Sequence, residues 1–171
     1  MAHDSSGGFE PGFLRILETF GRPLRRLCRA YLRDAAEQED LFQEIAIAIW
    51  VALPKFRGDA SERTWVYRIA HNIALTYSAK HRRRLGMQQD METIPCTPSV
   101  EEDQDPRRQA LLEAVQKLTP ADQTLVILYL EGLSARETEE VTGLTANNVA
   151  VRLSRLRIRL TLALRGKEVC E

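Results

Sequence analysis

From Thr145 to Lys167 the chain carries six Lys/Arg residues and no acid. Arg152, Arg155 and Arg159 fall on one face of a helix at spacings of three and four. Asn147 and Asn148 sit in the first turn of that helix. The amide of Asn pairs with an adenine edge, and the guanidinium of Arg with guanine or phosphate, so this residue set suits the major groove of duplex DNA. A second acid-free basic stretch, Arg63 to Arg84, also holds six Lys/Arg, interleaved with Trp65, Tyr67, His71 and Tyr77. Rings on which bases stack, beside cations that track phosphates, suit single-stranded or opening DNA. A third group, Asp40, Gln43 and Glu44, lies on one helical face. An acidic patch does not bind DNA, so it either meets a protein or is solvated.

The elements that position these groups are helices throughout. Before residue 86 three helical stretches are expected. The first spans 13–32 with an interruption at Gly21-Arg22-Pro23, because the residue before proline is pushed out of helical backbone. The second spans 37–53 and is closed by Pro54. The third follows the Phe56-Arg57-Gly58-Asp59 turn with Ser61 as its cap. Its apolar stripe reads Trp65, Ile69, Ile73, Tyr77, flanked by Val66, Ala70 and Ala74, with Arg68, His71 and Asn72 on other faces. After residue 106 four more helices are expected. Pro106 to Lys117 comes first, then a helix capped by Thr119-Pro120. A short helix opens with the Ser134–Glu137 capping box and stops at Gly143, and a final helix is capped by Thr145. A capped two-turn helix, a Gly-Leu-Thr turn and a basic amphipathic helix form the helix-turn-helix pattern.

Composition sets the bounds. The 171 residues are 44% hydrophobic and 28% charged, ordinary for one medium or two small globular domains. The net charge of zero hides an asymmetry: residues 1–88 hold 14 Lys/Arg and 10 Asp/Glu, residues 89–105 hold 0 and 6, and residues 106–171 hold 10 and 8. The proline-bearing acidic segment 86–106 therefore reads as a flexible linker between two basic bodies. The apolar run Ile45–Leu53 is too short to span a bilayer, and no export signal opens the chain, which places it in the cytoplasm with no membrane insertion. Cys28, Cys96 and Cys170 show no metal-ligand spacing, with Cys28 expected inside a helix core. No metal set, nucleophile elbow or phosphate-binding glycine loop is present, so neither a cofactor nor an enzyme is expected.

Several stretches carry a resemblance. Glu39–Glu44, Phe56–Asp59 and Arg63–Asn72 resemble domain 2 of the extracytoplasmic-function (ECF) sigma factors, the group 4 members of the sigma-70 family. Leu118–Asp122, Tyr129–Ser134, Glu140–Thr145 and Asn148–Leu153 resemble sigma domain 4, in the same order and spacing. The resemblance implies an all-α fold of two small domains, with domain 2 at 9–85, the linker at 86–106 and domain 4 at 107–167. It implies an alternative sigma factor whose partners are core RNA polymerase, promoter DNA in duplex and melted form, and an anti-sigma factor. Asp40, Gln43 and Glu44 would meet core polymerase. Gly58, Asp59, Ala60, Ser61, Arg68, His71 and Asn72 would meet the minus-ten element. Asn147, Asn148, Arg152, Arg155 and Arg159 would meet the minus-thirty-five duplex, while the acidic linker would thread a basic polymerase channel. Two departures stand out: Thr138-Glu139 replaces the usual Ile-Ala, where a glutamate must reach solvent or find a partner, and the early recognition helix is less basic than in many members, with Ala150 and Val151. A helix-turn-helix regulator acting without polymerase would explain the C-terminal half, but not the acidic face or the aromatic basic helix.

Overall fold

A computed structural model describes residues 10–86 and 105–168, and the side chains within them except those of 82, 85, 86 and 166–168. Among the described residues there are seven α-helices and no strand: α1 Glu10–Tyr31, α2 Ala35–Ala52, α3 Glu62–Gly86, α4 Pro106–Gln116, α5 Pro120–Leu130, α6 Ala135–Thr142 and α7 Ala146–Glu168. A 3-10 turn, Leu53–Lys55, follows α2, its proline ending the helix. The linker acids other than Asp105, together with Cys96 and Cys170, lie outside the described residues.

Local signals set most helix ends. The side chains of Asp34, Asp105 and Thr119 accept from backbone N–H groups at the starts of α2, α4 and α5. Ser61 Oγ accepts from Thr64 N–H at 3.0 Å at the start of α3. Ser134 and Glu137 close the reciprocal capping box of α6, and Gly143 ends that helix at φ 75°. The Ser134 bonds also hold the Glu137 carboxyl below its ordinary pKa.

Two expectations are corrected. Helix α1 runs without interruption through Pro23. Ile16 and Phe20 before the proline, and Leu24, Leu27 and Cys28 after it, bury one continuous stripe against α2 and α3. Burial of about 1.5–3 kcal/mol per large side chain outweighs the roughly 3 kcal/mol cost of proline in a helix. Burial also pushes the Cys28 thiol up to about 12, which leaves it an inert core group. The second correction concerns α3. Trp65, Ile69, Ile73 and Tyr77 are only half-buried, while Thr64, Val66, Tyr67, Ala70, His71, Ala74 and Ser78 are buried. The buried face of α3 is broader and displaced because a second set of helices covers it.

That second set is α4–α7, and its centre is α5. Residues 123–128 of α5 are all buried, as befits a helix packed on every side. It meets α4, α6 and α7 within its own half of the chain, and α1 and α3 of the other half. Helix α3 also packs along α6. The two halves thus share one contiguous core, although residues 86–106 separate them in sequence.

Candidate nucleic-acid interface

Helices α6 and α7 form the helix-turn-helix. Thr145 Oγ1 accepts from Asn148 N–H at 3.4 Å, and Glu139 Oε2 accepts from Ala146 N–H at 3.0 Å. The glutamate thus finds its partner at the start of α7, as a second cap on that helix, while Thr138 beside it is buried. The core face of α7 consists of Val149, Leu156 and Leu160. Its opposite face exposes Asn147, Asn148, Val151, Arg155 and Arg159. Arg152 lies on the flank between these faces, and its guanidinium donates to Asp122 Oδ1 at 2.6 Å. Thr119 Oγ1 in turn donates to Asp122 Oδ2 at 3.0 Å, so Arg152 is braced against the first turn of α5. Arg157 is drawn over the Tyr129 ring, 5.8 Å from its centroid. Of the sequence-expected set, Asn147, Asn148, Arg155 and Arg159 therefore share open surface, and Arg152 is engaged within the domain.

On α3 the expected groups divide. Asn72 is exposed. Arg68 Nε donates to the backbone carbonyl of Glu140 on α6 at 2.9 Å. His71 is 7% exposed, with Nδ1 3.1 Å from Thr124 Oγ1 on α5. Burial lowers its pKa to about 4, so the ring is neutral at physiological pH. Thr124 also bonds the hydroxyl of Tyr31, whose phenol burial pushes up to about 12. The loop before α3 places Gly58 at φ 78°, a left-handed conformation that suits glycine. Gly58, Asp59 and Ser61 are exposed and Ala60 is half-buried. Phe56 and Trp65, with ring centroids 4.8 Å apart, hold the two ends of this loop together.

The acidic side of α2 is open: Asp40, Gln43 and Glu44 are all exposed. Beyond these polar groups the same face continues into Ile47 and Val51, which are 63% and 62% exposed. Trp50 and Leu14 lie exposed nearby, Trp50 edge-on to Phe13 at 5.0 Å. Spacings of three and four from Glu44 to Ile47 to Val51 are the signal that would have found them. An acidic band continued by an apolar one is a surface for protein rather than for DNA.

Between the halves, Arg26 of α1 donates through Nε and Nη2 to Glu131 at 2.8 and 2.9 Å. The Tyr67 phenol is raised by burial and by the Glu131 carboxylate beside it. Gln116 Nε2 donates to Arg29 O at 2.7 Å, and Tyr31 to Pro120 O at 3.3 Å. None of these cross-contacts was legible beforehand.

Known proteins resemble this arrangement. Sigma-70 region 2 matches residues 16–84 and Sigma-70 region 4 matches residues 108–160, together more than half of the chain. The RNA polymerase sigma factor NccH of Alcaligenes xylosoxydans xylosoxydans is 27% identical over 99% of this chain and 95% of its own. The ECF RNA polymerase sigma-E factor of Escherichia coli K12 is 29% identical over 88% of this chain and 85% of its own. The sigma factor RpoE of Bartonella quintana, solved in complex with the anti-sigma factor NepR, shares the fold. Its TM-score is 0.75 at 21% identity, over 90% of this chain and 97% of that one. The chain belongs to the sigma-70 family, as an ECF sigma factor. It is accordingly an alternative sigma factor, with core RNA polymerase and promoter DNA as its partners. Among the described residues no helix is long and apolar enough to cross a membrane, and no group of three or more His, Cys, Asp or Glu side chains is placed to hold a metal.

Proposed function

We propose that three surfaces of this sigma factor divide the work of initiation, with residues 9–85 as domain 2, 86–106 as linker and 107–167 as domain 4. The α2 face of Asp40, Gln43 and Glu44, extended by Ile47 and Val51, docks on core polymerase. The loop Gly58–Ser61 with Arg68, His71 and Asn72 takes the melted minus-ten strand. The exposed face of α7, through Asn147, Asn148, Arg155 and Arg159, takes the minus-thirty-five duplex, with Arg152 on its flank. The protein works by binding, as an initiation factor in the cytoplasm, and supplies no catalytic group of its own. An anti-sigma factor is its expected regulator. The observation that carries the reading is the coexistence of two separate acid-free basic stretches, Arg63–Arg84 in α3 and Thr145–Lys167 through α7, with an acidic-apolar face on α2. A DNA-binding regulator acting alone would have no use for the last.

His71 is buried against α5, so it reaches DNA only when α3 parts from that helix, whereas Arg68 is exposed and has one hydrogen bond to α6 to give up. The compact form is then a resting arrangement, which polymerase and promoter exchange for an extended one.

The test is association with purified core polymerase. Asp40→Arg with Glu44→Arg replaces two exposed acids, and should abolish co-purification while leaving the helical circular-dichroism signal intact. Undiminished association in a folded double variant would refute the docking assignment.

A further inference from the structure

The exposed face of α7 has an apolar residue where solvation gives no reason for one. Val151 is 43% exposed. It stands four residues after Asn147, three after Asn148 and four before Arg155, so these three polar side chains surround it on the helix surface. Valine is also a poorer helix former than alanine, because its branched side chain loses rotamer freedom against the preceding turn. A face built only to track phosphates would have no use for an apolar centre. Two other exposed apolar residues of α7, Ile158 and Leu162, lie roughly 10–17 Å further along the axis, beyond the first turns that enter a groove. The first turn itself is held at both ends of its hydrogen bonding, by Thr145 on Asn148 N–H and by Glu139 on Ala146 N–H. Arg152, on the flank, is engaged by Asp122, and Val151 stands on the open face.

The major-groove edge of DNA has one apolar landmark, the C5-methyl group of thymine. We propose that Val151 is a specificity-determining residue that packs on a thymine methyl in the minus-thirty-five duplex, beside an adenine edge read by Asn147 or Asn148. The inference rests on α7 being the duplex reader. The rise of four helical residues is about 6 Å, close to two base-pair steps of about 3.4 Å. The thymine is therefore expected within about two base pairs of that adenine, and the preferred element is rich in A·T at these positions.

The experiment uses the full chain bound to core polymerase. A preferred minus-thirty-five duplex is first selected from a randomised library. Each thymine in it is then replaced by uracil, which removes the methyl and keeps the O4 acceptor. One replacement should weaken wild-type binding about fourfold, the scale of one buried methyl-sized group. Val151→Ala should lose about the same on the thymine duplex and show no further loss on the uracil duplex. Val151→Thr, which keeps one methyl, should retain part of the discrimination. A selected duplex without thymine, uracil replacements that are all neutral, or a uracil penalty undiminished in Val151→Ala would each overturn the proposal. Failure to select any duplex would count instead against α7 as a reader.

Discussion

Glu131 is the residue whose replacement should most directly open the molecule. It sits at the end of α5, accepts two hydrogen bonds from Arg26 of α1, and lies beside the buried Tyr67 of α3, so one carboxylate meets two of the three N-terminal helices. Arg26 is about half exposed and Glu131 largely covered. A pair of this kind falls between an exposed ion pair, at about 0.2–1 kcal/mol, and a charge-assisted bond in a drier site, at about 1.5–3 kcal/mol. Glu131→Lys removes the attraction and sets two cations face to face, so a loss of about 1–2 kcal/mol of contact between the halves is expected. That corresponds to roughly a 5–30-fold rise in the ratio of extended to compact chain. The reciprocal variant, Arg26→Glu with Glu131→Arg, should recover most of the compact population. Energy transfer between dyes on exposed positions of α2 and α7 reads the distance. Binding of a minus-ten single strand to the free chain reads the release of His71, and should strengthen in parallel. If Glu131→Lys leaves both the distance distribution and strand binding unchanged, His71 is not withheld by this contact.

Two further outcomes follow from the same contacts. The pKa of His71 is about 4 in the compact form, whereas in water it would titrate near 6.5, so the extended form binds more protons between these values. Compact stability is then complete above about pH 7 and declines as pH falls toward 4; at pH 5.5 the extended form should gain about tenfold, by the same energy-transfer signal. Its nearest hydrogen-bonding groups, Thr124 and Tyr31, stay neutral throughout this range, and His71→Gln should abolish the trend. Glu139→Ala frees the Ala146 N–H and should cost about 1 kcal/mol, seen as a lower denaturation midpoint, while Glu139→Gln should recover most of it. Equal stability of all three proteins would show that Thr145 alone caps α7.

The helices of this protein and most of their ends are readable along the chain, because a cap acts within three or four residues. Ser134 with Glu137, Thr119 with Asp122 and Ser61 with Thr64 are contacts of that reach. The acidic face of α2 and the basic faces of α3 and α7 are readable for the same reason, since helical spacing alone decides which residues share a side. What lay beyond the sequence depended on which helix covers which. Pro23 stays inside α1 because the stripe on either side of it is buried in tertiary contacts. Tyr67 and His71 are core residues because α5 and α6 lie over α3, from beyond the linker. The partner of His71 is 53 residues away, and that of Arg26 is 105. Periodicity marks a face as apolar or polar, but a face with an aromatic, a histidine and an arginine can be solvated, bound to DNA or buried. Only the packing of the second half of the chain decided that, in the compact form, the histidine is covered while the arginine stays exposed.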